Sequence, residues 1–329
     1  MSDSLSLNTL FKSLEEDLRQ VETCLQEILR NKGGAIRPAG EALFRGGGKR
    51  IRPALVLWSS QILGARPPQT VYPIAAAIEM VHGASLLHDD VIDQTMLRRG
   101  QKTLNALHGN HYTVLLADFL LTQALEAICE LDQVRLVRVV SNAVAEMTLG
   151  QILELQHQGD LQTRPEDYMR IIDGKTASLM AAGCMLGGVM AGADKTQVQA
   201  LEKYGRHVGL AFQIIDDILD YWGDPATLGK PVGSDLSERK FTLPFLLALE
   251  EADSIQRGRL ARLLEGSLGE GEAFAEILAF MEGMDSRTRS QEMAQDQARQ
   301  ALEALDHLPA GWVREDLALL PDVLTHRDH

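Results

Sequence analysis

Aromatic residues make up only 5% of the 329-residue chain, cysteines number three, and 32 Lys and Arg stand against 46 Asp and Glu. Each scarcity excludes something. Cys24, Cys129 and Cys184 are scattered, odd in number and contain no Cys-x-x-Cys pair, so neither a disulfide framework nor a zinc site is expected and a reducing cytoplasm fits. The formal net charge of -14 argues against a nucleic-acid partner, because binding a phosphate backbone needs a basic surface; it suits solubility better. Met1 to Leu10 has no basic segment followed by an apolar core, so no signal peptide is expected. The uncharged run from Thr176 to Ala193 is at the lower edge of a bilayer span in length. It is built of Ala, Gly and Met rather than Leu, Ile and Phe, and reads as a buried central helix, not a membrane span.

What the chain does have is helical periodicity, with no convincing strand alternation. Amphipathic or apolar helices are expected over Leu5–Leu29, Val71–Leu97, Leu115–Leu131, Val134–Gln158, Asp167–Gly192 and Thr196–Tyr221. The second should end in Arg98-Arg99-Gly100, with bases in its last turn and a C-capping glycine. Thr163-x-x-Glu166 reads as a capping box. Trp222 to Lys240 is rich in Gly, Pro and Asp and long for a connection, which marks it as functional. Helices resume at Thr242, and no low-complexity linker interrupts them. The expectation is one all-α domain over residues 1–329.

Two acidic signatures interrupt apolar stretches: Asp89-Asp90-Val91-Ile92-Asp93 and Asp216-Asp217-Ile218-Leu219-Asp220. Residues four apart share a helix face, so Asp89 points with Asp93 and Asp216 with Asp220. His82 superimposes on Asp89 and Asp93 within about 20° on a helical wheel, and Ser85 lies close by. Gln213 extends the second stripe. Buried carboxylates are costly without counter-charge, so the two clusters are expected to wall a cavity for hard cations, magnesium above all. An exposed acidic turn at a helix start would also use paired aspartates, but the residues before Asp89 already read as helix.

The opposite charge is also supplied. Gly46-Gly47-Gly48-Lys49-Arg50-Ile51-Arg52 is a glycine-rich basic turn without Walker spacing, since Arg50 follows the lysine where Ser or Thr should stand. Its amides, Lys49 and Arg52 suit a phosphate. Arg98 and Arg99 follow the first motif, Lys175-Thr176 opens the uncharged run, and Lys230 and Lys240 lie in the long connection. Any one of these bases is equally readable as surface. Together with metal-binding carboxylates they suit substrates carrying more than one diphosphate.

GGGKRIRP at 46–53, HGASLLHDDVID at 82–93, RRG at 98–100, GDL at 159–161, KTASL at 175–179, GLAFQIIDDILD at 209–220, LGKPVGSDL at 228–236 and KFTLP at 240–244 resemble, in order, the blocks of the trans-isoprenyl diphosphate synthases, the polyprenyl synthetase family. Gln151, Lys102 and Ala117 depart from its usual Glu, Pro and Gly. The resemblance implies the type I isoprenoid-synthase fold, a single-domain antiparallel helical bundle around a central cavity, and a homodimer. It also implies head-to-tail prenyl transfer. Asp89, Asp93 and Asp216 would hold three magnesium ions on the allylic diphosphate, with Asp90, Asp217 and Asp220 orienting ligands. Arg98, Lys175, Thr176, Gln213, Lys230 and Lys240 would surround that diphosphate, with Lys175, Thr176 and Gln213 also serving catalysis. Lys49, Arg52, His82 and Arg99 would hold isopentenyl diphosphate.

Ser85 and Ala84 lie about one turn before Asp89, where the family's short-chain members carry bulky aromatics. Small residues there imply a long all-trans product, although they also permit plain helix packing. A short-chain farnesyl or geranylgeranyl synthase is the alternative within the family. A terpene cyclase lacks the second acidic motif and the bases for a second diphosphate, and a non-catalytic partner subunit would have lost aspartates.

Overall fold

The computed structural model describes residues 6–31, 36–45, 49–98, 100–224, 232–265 and 271–325. Most of them are helical. The chain divides into two compact units, one of Met1–Ala145, Leu179–Arg206 and Ala301–Val323, the other of Glu146–Ser178, His207–Gln300 and Leu324–His329.

The first unit opens with a short helix α1 (Leu7–Leu10), a 3-10 turn (Phe11–Leu14) and α2 (Glu15–Asn31), so the helix expected over Leu5–Leu29 is broken once near its start. α3 (Arg37–Arg45) and α4 (Ile51–Ser60) follow. At its centre is α5 (Val71–Ile92), apolar on nearly every face, with Ile74, Ile78, Met80 and Leu87 buried. A helix hydrophobic all round is a core helix. It packs against α2, α4 and α7 (Asn110–Cys129). Truncating a buried side chain such as Ile78 to Ala would cost about 2–5 kcal/mol.

α5 stops at Ile92 rather than Leu97. Gln94 turns left-handed at φ +52° and the Thr95 N–H closes back onto Asp90 O at 2.9 Å; Asn105 Nδ2 braces this turn by donating to the carbonyls of Asp90 and Thr95. The expected basic last turn is instead a two-stranded hairpin, β1 (Leu97–Arg98) against β2 (Gln101–Lys102), with Gly100 at φ +73°. Glycine adopts that left-handed conformation without strain. α6 (Leu104–His108) then leads into α7. By length and composition α7 is apolar enough to cross a bilayer, yet Leu116, Leu120, Ala124 and Ile128 are buried and α5 covers that face. α8 (Val134–His157) follows much as expected.

The uncharged run becomes α10 (Ser178–Met190), buried over most of its length. Its glycines explain the composition: a Cβ on Gly187 would lie 2.3 Å from the carbonyl oxygen of Val56 in α4. α11 (Lys195–Trp222) runs one residue beyond the expected helix at each end.

The second unit's core gathers Tyr168, Ile172, Ile214, Ile218, Tyr221 and Phe245. The helix expected over Asp167–Gly192 is three segments: α9 (Pro165–Ile172), a π-helical turn (Asp173–Ala177) and α10. The capping box lies one residue later than expected, with Asp167 accepting from the Arg164 backbone N–H at 3.1 Å. Thr163 pairs with His157 Nδ1 instead. Beyond α11 lie α12 (Ser234–Ser237), α13 (Leu243–Glu251), α14 (Ser254–Glu265), α15 (Glu272–Gly283) and most of α16 (Ser286–Ala304); the 3-10 turn at Leu305–His307 and nearly all of α17 (Trp312–Thr325), which closes the described chain, belong to the first unit.

Candidate functional site

In the first unit the acidic motif occupies the last turn of α5. Asp93 caps the helix, and its N–H donates to Asp89 O at 2.8 Å, preserving the spacing that sets the two aspartates on one face. Both are half-buried. Asp90 is different: it is 4% exposed, and Arg98 donates to its Oδ1 through Nε at 3.0 Å and Nη2 at 2.8 Å. Burial pushes the Asp90 carboxyl up, and Arg98 draws it back only in part. Asp90 is therefore committed inward, whereas Asp89 and Asp93 are only half-buried. His82 and Ser85 are half-buried on the same helix, with the Ser85 hydroxyl donating to His82 O at 2.8 Å, while Ala84 is buried. Lys49 is exposed and Arg52 half-buried at the entry to α4.

In the second unit the same division appears with different partners. Asp216 is half-buried and Asp217 buried. Tyr168 donates to Asp217 Oδ2 at 2.7 Å and Gln213 Nε2 to its Oδ1 at 2.8 Å. Gln213 Oε1 in turn accepts from Thr176 Oγ1 at 2.7 Å. Burial first, then the nearby carboxylates Asp235 and Asp216, hold Asp217 well above the usual carboxylate range against those two donors. Asp220, 1% exposed, accepts from Ser234 Oγ at 2.6 Å and from the Asp235 N–H at 3.1 Å.

A cavity of about 140 Å³ in this unit is lined by Lys175, Thr176, Gln213, Asp217, Asp235 and Lys240, among others. Lys175 Nζ meets Glu154 at 2.7 Å and Lys240 Nζ meets Glu238 at 2.9 Å. Backbone contact places Lys175 there. A Cβ on Gly150 of α8 would lie 2.6 Å from Lys175 N, and one on Gly174 would lie 2.7 Å from Glu146 O. Only glycine at both positions lets α8 and the π turn cross so closely. π turns recur at functional sites, and this one carries Lys175 and Thr176.

The structure thus joins Lys175, Thr176, Gln213 and Lys240 in one cavity, and Asp89 with Asp93 on one helix face. Arg98 is brought onto Asp90. Arg99, Lys230 and Gly46 to Gly48 lie outside the described residues. Sequence reasoning missed Glu154, Tyr168 and Asp235; Glu154 also accepts from Gln151 Nε2 at 3.1 Å, the residue that departs from the family's usual Glu. A larger cavity of about 370 Å³ in the first unit is lined by Glu22, Glu27 and Glu41 against Arg30, a charge balance unsuited to diphosphate.

The carboxylates of Asp89, Asp93 and Asp216 fit a hard divalent cation by donor type. Among the described residues no three acidic, His or Cys side chains form a cluster that would hold a metal unaided. Paired oxygens of the Asp89 and Asp93 kind suit an ion whose shell is completed by water and phosphate, the usual condition of magnesium.

A family model described as Polyprenyl synthetase matches residues 34–281. The chain is 36% identical over 325 residues to the octaprenyl diphosphate synthase of Escherichia coli K12, covering 98% of this chain and 100% of that one. It is 38% identical over 321 residues to a short chain isoprenyl diphosphate synthase of Methanothermobacter thermautotrophicus, covering 95% and 98%. Its structure superimposes, with a TM-score of 0.92 and 34% identity over the whole of both chains, on a polyprenyl synthase from Caulobacter crescentus complexed with calcium and isoprenyl diphosphate.

Proposed function

This chain belongs to the polyprenyl synthetase family, with its all-α isoprenoid-synthase fold, and on that premise we propose that it condenses isopentenyl diphosphate with an allylic diphosphate primer to make a long all-trans polyprenyl diphosphate. The observation that carries the reading is the second unit's cavity, where two ammonium groups, a hydroxyl and an amide stand beside an acidic motif. An allylic diphosphate ionises only if the charge developing on its leaving group is neutralised, which fixed cations do best in a site sheltered from water.

Asp89, Asp93 and Asp216, half-buried rather than buried, would hold magnesium, three ions being expected. Bound magnesium would supply most of the neutralisation of the leaving diphosphate. Lys175, Lys240, Lys230 and Arg98 would add fixed positive charge toward the allylic diphosphate. Thr176 and Gln213, tied to each other and to Asp217, would present a fixed set of dipoles to the allylic cation. Lys49, Arg52, His82 and Arg99 would hold isopentenyl diphosphate so that its double bond stands where the cation forms. No protein nucleophile is required: the isopentenyl double bond attacks the allylic cation and leaves a tertiary cation, and the departing diphosphate can accept the proton lost from the adjacent carbon as the product double bond forms.

A long product is supported by the small side chains at Ala84 and Ser85 and by the octaprenyl relative. The short-chain relative at 38% identity supports the alternative of a farnesyl or geranylgeranyl synthase; the absence of an aromatic at 84 and 85 favours the first. By resemblance the protein would act as a homodimer, and its three scattered cysteines fit a reducing cytoplasm; sedimentation and cell fractionation would test these. The reaction is tested by diphosphate release: release requiring magnesium and both substrates supports it, and none with any primer overturns it.

A further inference from the structure

Arg50 stands between Lys49 and Arg52 and has a backbone conformation few side chains adopt, φ +49° and ψ +28°. A left-handed non-glycine residue costs on the order of 1–2 kcal/mol, so something must hold it. Its guanidinium does so by reaching three separate elements. Nε meets Glu22 of α2, Nη1 meets Glu79 of α5 at 2.6 Å, and Nη2 donates to the carbonyl of Phe44 in α3 at 2.9 Å. The Arg50 side chain is 15% exposed and that of Glu79 only 7%. Burial alone would weaken the positive charge; Glu79 and Glu22 outweigh it and hold the guanidinium more firmly protonated.

Buried ion clusters return little stability, because desolvation offsets the Coulomb gain. What a rigid, forked guanidinium provides is geometry, with each donor aimed at a fixed acceptor. Here the acceptors come from α2, α5 and α3 and converge on the residue between Lys49 and Arg52. Glu79 lies three residues before His82 and so shares its helix face. The Phe44 ring covers the next position, since a Cβ on Gly83 would lie 2.9 Å from its Cζ. Lys49 and Arg52 are therefore held in register with His82 through one side chain.

We propose that Arg50, acting through Glu79 and Glu22, is a positioning residue that sets the isopentenyl-diphosphate grip formed by Lys49, Arg52 and His82. The proposal rests on the functional reading above and assigns Arg50 no contact with substrate. It is tested on the full-length enzyme by varying each substrate separately. Glu79→Gln and Arg50→Met should raise KM for isopentenyl diphosphate about tenfold, the loss of a charge-assisted hydrogen-bond set. KM for the allylic primer and kcat at saturation should stay within about twofold of wild type. Arg50→Lys, which keeps the charge and loses the fork, should fall between.

Where those variants do not fold, Glu22→Gln, removing the most exposed carboxylate of the cluster, should raise the same KM about threefold. An unchanged KM for isopentenyl diphosphate in a folded variant overturns the proposal, as does an equal rise for both substrates, the mark of a merely structural staple. Lys49→Ala separates the two layers of the reading. If it raises KM for isopentenyl diphosphate while the Arg50 cluster variants do not, only the positioning role is wrong. If it leaves that KM unchanged, the grip assignment falls and the proposal with it.

Discussion

Tyr168 donates its phenol to Oδ2 of Asp217 at 2.7 Å, and because Gln213 occupies Oδ1, both oxygens of this middle aspartate are taken up within the second unit. Asp90 is similarly turned inward by Arg98. In each acidic motif the second aspartate is thus structural support for its neighbours, and the first is only half-buried.

Tyr168→Phe follows from this. It removes one of two donors from a fully buried carboxyl and leaves no replacement, a loss of about 1–3 kcal/mol. Thermal melting should fall accordingly. The diphosphate-release rate should fall as well, because the Thr176–Gln213–Asp217 chain loses its anchor. A variant with wild-type melting and rate would show that Tyr168 fixes nothing at the site.

Gly174→Ala should be more damaging than its size suggests. The added methyl would meet backbone, Glu146 O at 2.7 Å and Gly150 Cα at 3.1 Å, and backbone cannot step aside as a flexible side chain can. Overpacking of this kind costs about 1–3 kcal/mol, and the shift falls directly on Lys175 and Thr176. Steady-state rates with a melting curve check this: kcat should drop more than stability alone accounts for.

The parts of the site that chemistry ties to fixed spacing are legible in the sequence. Asp89 with Asp93 and Asp216 with Gln213 share helix faces that their spacing alone announces, and those residue types are the ones cation and phosphate binding would call for. Tyr168 and Glu154 are not, since an isolated Tyr or Glu on an amphipathic helix has no signature until the fold sets it against Asp217 or Lys175. The Arg50–Glu79 pair joins residues 29 apart and is visible only after α5 is packed. The helix boundaries missed have local causes as well. α5 ends where Gln94 turns left-handed at φ +52° and Thr95 N–H closes onto Asp90 O, and the π turn at 173–177 lies at the Gly150–Gly174 crossing; periodicity announces neither.

Product length should respond to α5. Ser85 is half-buried on the face of Asp89, whereas Ala84 is buried in packing. Ser85→Phe should therefore shorten the product with modest loss of rate. Ala84→Phe, which overpacks the core, should lower stability as well. Chromatography of the dephosphorylated prenols from each variant is the measurement, and an unchanged distribution for Ser85→Phe would remove Ser85 from the chain's path.

The thiols should separate by reactivity. Burial pushes Cys184 from 9.0 up to about 12, while Cys129 is exposed; only the thiolate reacts. At pH 8 Cys129 should alkylate at once and Cys184 only on unfolding, as mass spectrometry of the labelled peptides would show. Because the folded pKa of Cys184 lies above the unfolded one, its contribution to stability is present below pH 9 and lost as pH climbs toward 12. Chemical denaturation across that range should show a shallower decline in Cys184→Ala.

The central claim is elongation by repeated prenyl transfer, and sizing the products tests it most directly. Purified protein is incubated with magnesium, labelled isopentenyl diphosphate and each allylic primer in turn. The account predicts a magnesium-dependent product longer than geranylgeranyl diphosphate, lost on chelation and in Asp89→Ala. No elongation with any primer would contradict it outright, and a product that stops at farnesyl or geranylgeranyl would contradict the long-chain assignment.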